Sequence, residues 1–207
     1  MKVLLLGASG RVGREFITQS KGKGHAVSAL VRKPLGSGDW GNEITFLAGN
    51  ALEPGLLNRI ISKGSYDAVV NVLGGGLARS TVVTESTRLA VEALSSSTTR
   101  RYVGISVLTL MPKNILGFLT AVVLSSTFLR NVDHDHSGAI KLLAASTLDW
   151  TLVACGQIVD GHGGLNVKRS DRFTGGYRRI ETGDVAREIW RELVTPEHHR
   201  TAFGAWI

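Results

Sequence analysis

The stretch MKVLLLGASGRVGREF carries Gly7, Gly10 and Gly13 at intervals of three, directly after the apolar run Val3 to Leu6 and directly before a helical pattern. Each glycine has a physical use. Gly7 permits a tight turn out of a strand. Gly10 leaves room for backbone to approach a pyrophosphate where a Cβ would clash, and Gly13 lets the helix pack close to the strand. The free N–H groups at the helix start, and its dipole, favour phosphate charge. The chemistry implied is dinucleotide binding, because the glycines sit between a strand and a helix in the first βαβ unit.

The second apolar run ends SALVRKP, with Arg32 and Lys33 where an NAD site usually has a carboxylate for the ribose hydroxyls. A carboxylate would repel a 2′-phosphate, whereas a guanidinium binds it through two hydrogen bonds. NADP(H) is therefore expected over NAD. The competing reading is a pair of solvated cations.

Other candidates lie further along. Ser106 stands at the carboxyl end of an apolar run, where crevices form in parallel sheets. The run Asp133, His134, Asp135, His136 alternates, whereas metal ligands on a helix want i, i+4 spacing; a loop or helix cap suits it better, and no metal is expected. His136 is a candidate proton donor just before a helix at the active-site wall. Cys155 has no evident His partner and reads as a buried apolar residue. His198 and His199 read as solvated, and Asp184 as the cap of a late helix. The apolar stretch Ile115 to Phe128 is shorter than the ~20 residues of a membrane span, and reads as a pocket wall or a dimer face.

The elements that must position these residues follow from periodicity. Strands are expected at Lys2–Leu6, Ala26–Val31, Ile44–Leu47, Asp67–Leu73, Tyr102–Leu108 and Trp150–Ala154. Helices are expected over Arg11–Ser20, Pro54–Ser62, Thr81–Leu94, Ser137–Ala145 and Asp184–Val194, with an edge strand at Ala202–Trp206. Strands rich in Val, Ile and Leu between helices imply an α/β fold: a doubly wound parallel sheet of Rossmann type, one domain over residues 1–207 with a small C-terminal extension on the substrate side. The 207 residues suit one domain, and a single cysteine excludes an internal disulfide, so a cytoplasmic setting is expected. The short N-terminal apolar run does not read as a signal peptide. The net charge of +7 comes from scattered pairs such as Arg100/Arg101 and Arg178/Arg179, with no interleaved aromatics. A small-molecule ligand is expected as partner, with neither nucleic acid nor membrane, for a monomer or homodimer.

The stretches GASGRVG, LVRKP, VVNVLGGG, GISVL, STLDWTLV and IETGDVAREI together resemble the atypical short-chain dehydrogenase/reductase group with an NAD(P)H-binding domain, which includes biliverdin-IXβ/flavin reductase-like and NmrA-like proteins. The resemblance implies that Gly7, Ser9, Gly10, Arg11 and Val12 surround the cofactor phosphates. It places Arg32, with Lys33 nearby, at the 2′-phosphate and Asn50 and Ala51 near the adenine. Leu73, Gly74 and Gly75 would line the ribose, Ser106 would stand beside the nicotinamide, and Arg79 near the active site. Two departures stand out. No Tyr-x-x-x-Lys exists, and no tyrosine follows Ser106 before Tyr177, which excludes the common tyrosine-acid mechanism. Ala154 and Cys155 stand where the family usually has Arg-Pro.

The resemblance implies an NADPH-dependent oxidoreductase acting on an apolar small molecule such as a flavin, tetrapyrrole, quinone or secondary metabolite. Ser106, Arg79 and His136 are its candidate catalytic groups. Two alternatives share the fold: an NmrA-like dinucleotide-sensing regulator, and a non-redox enzyme.

Overall fold

The computed structural model describes residues 1–33, 43–164 and 166–207; Pro34 of the LVRKP motif lies outside them. Strand β1 (Lys2–Leu6) runs through the glycine bend into α1 (Arg11–Ser20). There follow β2 (Ala26–Val31), β3 (Ile44–Ala48), α2 (Leu56–Gly64), β4 (Ala68–Asn71), α3 (Val82–Ser95) and β5 (Arg101–Val107). After a single 3-10 turn come α4 (Ile115–Thr127), α5 (Arg130–Ala145) and β6 (Asp149–Cys155). Then β7 (Gln157–Val159), β8 (Lys168–Ser170), β9 (Arg179–Glu181), α6 (Thr182–Val194) and β10 (Thr201–Trp206) complete the chain.

The eight-stranded sheet has the order β3-β2-β1-β4-β5-β6-β10-β8. All its pairings are parallel except β10 with β8. The fold is an α/β Rossmann-like domain, as the alternation of apolar runs and helices predicts. Strand order reverses at β1, whose neighbours are β2 and β4, so the crevice opens at the carboxyl ends of β1 and β4.

Both sheet faces are covered. On one, α1 and α6 pack together: Phe16 and Trp190 stack at 4.2 Å, and the Trp190 indole donates to the Phe16 carbonyl at 2.9 Å. The other face is filled by residues of α2, α3 and α5, among them Leu57, Leu89, Leu94 and Leu143. This two-sided burial is why the central strands read as continuous apolar runs.

The glycine bend is sterically determined. Gly7 has φ +91°, which favours glycine. A Cβ on Gly13 would lie 2.3 Å from the Gly7 carbonyl oxygen, so the first turn of α1 sits against the bend at a distance only glycine allows.

Four expectations need correction. β10 is not the edge, because β8 pairs outside it; the three-residue β8 was too short to read. The Asp133–His136 run lies inside α5, which starts at Arg130 rather than Ser137, and carboxylates early in a helix are favoured by its dipole. Asp184 does not cap α6: Glu181 holds the N-cap position, and the buried Asp184 accepts from the Gly164 N–H at 3.0 Å and pairs with Arg187 at 2.5 Å. His198 is not solvated. It stacks on Phe203 at 4.1 Å, and its Nδ1 lies 2.7 Å from Glu192 Oε1. His199 is exposed and bonds Asp149.

Gly13→Ala is expected to destabilise the fold by about 1–3 kcal/mol, the usual cost of forcing atoms into a packed contact. Urea unfolding of the variant checks this; an unchanged midpoint would show that the helix can shift away freely.

Candidate functional site

The bend and the strand ends form two adjoining cavities that share Leu73 and Gly74. The smaller, about 260 Å³, is lined by Gly7, Ser9, Arg32, Asn50, Ala51 and Gly74 among others. The larger, about 1060 Å³, runs from Arg11 and Val12 past Gly75 and Ser106 to α4, α5 and the 173–178 segment. The first is of a size for one end of an extended ligand, and the second for the remainder together with a second molecule.

Helix α1 begins at N-cap Gly10 with no side-chain cap and no acidic residue in its first turn, so its leading N–H groups are left without an internal partner. The Gly10 N–H itself closes the bend on the Gly7 carbonyl at 3.0 Å. By contrast, the start of α3 is neutralised: Asp135, from α5, accepts from the N–H groups of Val83 and Thr84 at 3.1 and 2.7 Å. A dinucleotide pyrophosphate fits the uncapped end of α1, where the charge is complementary and no Cβ intrudes.

Arg32 is exposed, lines the smaller cavity and makes no hydrogen bond or ion pair among the described residues. Lys33 is exposed and lines neither cavity. Arg11 lines the larger one, but its guanidinium is drawn to Asp160 at 2.9 Å and to the Ile158 carbonyl at 3.4 Å, across the crevice from the bend. Asn50 folds back on its own turn, accepting from the Leu52 N–H at 3.1 Å.

The strand-end loop after β4 is held by a residue that the sequence pattern did not mark. Asn71 is buried; its Nδ2 donates to Ser86 Oγ at 2.9 Å and to the Tyr102 hydroxyl at 3.1 Å, while its Oδ1 accepts from the Leu73 N–H at 3.1 Å. The available signal was the lone amide in VVNVL. Tyr102 itself is fully enclosed, which pushes its phenol above the usual value, so it supplies no proton to the crevice.

On the substrate side, Ser106 is buried at the end of β5 and lines the larger cavity, with no side-chain hydrogen bond among the described residues. His136 lines the same space from α5. Burial lowers its pKa from 6.5 more than the charges of Asp135 and Asp133 and a hydrogen bond to the Ile105 backbone raise it. A ring kept neutral near pH 7 donates or accepts hydrogen bonds but is a poor source of a proton. Its neighbours in the run serve the fold: Asp133 accepts from Thr109 Oγ1 at 2.5 Å and from Ser125.

Arg79 is exposed and lines neither cavity, although its neighbours Leu77, Ala78 and Ser80 line the larger one. Besides Arg11, the guanidinium lining the larger cavity is that of Arg178, which lies over the Trp206 ring at 5.3 Å and has a buried Nε without a partner. Beside it, Tyr177 lines the mouth and donates to Gln157 Oε1. Both come from the glycine-rich last third, whose β7–β9 pairing folds it back over the crevice. Cys155, at the end of β6, is buried, and enclosure pushes its thiol up to about 12, which removes it as a nucleophile near neutral pH. Ala154 and Cys155 carry the β5–β6 ladder to its end opposite Ser106 and Val107.

This is a nucleotide-binding α/β domain with a ligand crevice at its topological switch point. The sequence profile of the NAD(P)H-binding family matches residues 7–196, and the chain belongs to that family. The uncharacterized protein YwnB of Bacillus subtilis (strain 168) is 24% identical over 212 residues, covering 98% of this chain and 97% of that one. A Streptococcus pneumoniae TIGR4 structure, provisionally described as an NADH-flavin reductase, is similar with a TM-score of 0.81 at 20% identity, covering 100% of this chain and 99% of the other. ChuY, an anaerobillin reductase from Escherichia coli O157:H7, gives 0.74 at 17% identity, with 100% and 97% covered.

The lowered pKa of His136 has a consequence for stability. Below about pH 6.5 the unfolded chain takes up a proton that the folded ring resists, so stability falls as pH drops through that value and levels off below the folded-state pKa. His25, also lowered mainly by burial, acts in the same direction. Urea unfolding at about pH 7.5 and 5.5 should show a smaller loss in His136→Gln than in the parent; an equal loss would mean that His136 is not held neutral.

Proposed function

We propose that the protein is an NADPH-dependent oxidoreductase that reduces an apolar, planar small molecule in the larger cavity. The observation that carries this reading is the joining of the two cavities at Leu73 and Gly74. An extended dinucleotide anchored at the α1 end reaches the space that Ser106, His136 and Arg178 line. The reductase descriptions of two proteins of similar fold support the reaction class.

When bound, NADPH supplies the reducing equivalent as a hydride. The chain's own residues do the rest. The uncapped start of α1 binds the pyrophosphate, and Arg32 at the rim of the smaller cavity binds the 2′-phosphate through charge-assisted hydrogen bonds. Ser106, with a free hydroxyl at the floor, orients the reacting ends by hydrogen bonding. The neutral His136 holds the wall through its bond to Ile105. Arg178 stabilises negative charge that develops on the substrate, a role the resemblance implies for Arg79; a guanidinium cannot give up its proton near neutral pH, so its effect is electrostatic. The proton comes from solvent or from the Tyr177 hydroxyl at the mouth.

Two measurements test this. NADPH is expected to bind more tightly than NADH, and Arg32→Glu to weaken NADPH binding by ~1.5–3 kcal/mol with little effect on NADH; equal dissociation constants in the parent overturn the NADP assignment. In single-turnover NADPH oxidation with a panel of flavins and quinones, Arg178→Ala is expected to slow the step by about 10²-fold, with an unchanged pH profile, whereas Arg79→Ala leaves it intact. Failure of every acceptor to oxidise NADPH would instead support a dinucleotide-binding regulator.

A further inference from the structure

Helix α4 is held to the body by little. Among its residues only Gly117 and Ala121 are buried. Gly117 rests directly on the Phe173 carbonyl, where a Cβ would come within 2.1 Å. One side of the helix faces outward and is apolar: Ile115 is 81% exposed, and Leu116, Phe118, Leu119, Val122 and Val123 are each about half exposed or more, followed by Phe128 at 73%. Soluble monomers seldom leave so large a contiguous apolar patch uncovered.

The charge around the patch says what covers it. Three segments meet at the mouth of the larger cavity, 72–84, 112–132 and 172–180. Lys113 and Arg130 flank the apolar stretch in the chain, Arg178 lines the cavity, and the three segments contain no Asp or Glu. Of the carboxylates next in the chain, Glu85 pairs with Arg88, Asp133 is buried against Thr109 and Glu181 accepts from the Gly163 N–H, while Asp171 is exposed, 3.9 Å from His198. An apolar helix face flanked by cations suits an anionic lipid surface, which offers apolar chains beneath a negative headgroup layer. It suits a second copy poorly. An isologous pairing of α4 with itself sets the cations of its ends against one another in either orientation, with no carboxylate on this face to compensate.

We propose that the α4 face, from Ile115 to Phe128 with its basic rim, docks the protein on the surface of an anionic lipid bilayer. Sequence reading excludes a membrane span by length; surface attachment needs only one apolar helix face and neighbouring cations. No single helix among the described residues is long and apolar enough to cross a membrane, and α4, about 20 Å long, lies in the interface instead. Docking is separable from the redox reading through residues such as Phe118 and Val122, which do not line the cavity, whereas Thr120, Leu124 and Phe128 do.

The test is flotation of the full chain with vesicles of phosphatidylcholine alone and of phosphatidylcholine with about one-third phosphatidylglycerol. The expected result is binding to the anionic vesicles at least tenfold stronger than to the neutral ones, weakened by raised salt. The double variant Phe118→Asp, Val122→Asp is expected to abolish it. The pair Lys113→Glu, Arg130→Glu is expected to remove the preference for anionic lipid. Both pairs are exposed or at the rim, and thermal melting checks that the fold is kept. A Phe118→Trp variant gives a second readout, a blue shift in emission on adding anionic vesicles. Absence of binding and of that shift overturns the proposal. So does a concentration-dependent dimer that the Phe118→Asp, Val122→Asp variant dissociates and that vesicles do not disrupt.

Discussion

Everything at the dinucleotide end of this protein depends on one steric constraint: nothing larger than hydrogen fits between residue 13 and the carbonyl of residue 7. That contact sets the distance from β1 to the start of α1, and with it the position of N–H groups that no side chain caps. A methyl group there would separate helix from strand and enlarge the space in which a pyrophosphate must be gripped. The left-handed Gly7 and the Gly10 N–H, closed onto the Gly7 carbonyl, are secondary to it. The α1 terminus is complementary to anions because its leading N–H groups are uncapped, whereas the start of α3 is already satisfied by Asp135.

The parts of the structure that local chemistry determines were legible in the sequence. The first turn, α1 from Arg11 to Ser20 and β2 from Ala26 to Val31 follow from glycine spacing and apolar periodicity, and the parallel sheet follows from runs buried on both faces. Less legible were elements decided by tertiary contact. Strands of three residues, such as β8 and β9, exist because β10 and β7 offer them a ladder, and no periodicity marks them. Helix α4 is apolar on all sides, so its pattern has no period that distinguishes a wall from a helix.

The same division runs through the site. Residues placed by the bend or by strand ends, including Ser9, Arg32, Gly74 and Ser106, lie along the crevice where spacing puts them. Arg79 does not, although Leu77, Ala78 and Ser80 beside it do, in a loop tied down by long-range contacts such as the bond from Asn131 to the Leu77 carbonyl. Arg178 and Tyr177 reach the cavity only because the β7–β9 pairing folds a loop-rich segment back by more than twenty residues. Topology thus brings Arg178 to the larger cavity and leaves Arg79 outside it.

Cys155 lies at the end of β6 beneath the larger cavity, neutral and enclosed, and it is the chain's single cysteine. A thiol reagent added to the native protein therefore has one address, and it can react there only when the sheet opens locally. The labelling rate becomes a clock for that opening, and its slowing as ligand accumulates would measure how firmly an occupied crevice holds the carboxyl edge of β6 closed. The strand end at Ala154 and Cys155 thus carries an internal gauge of its own dynamics.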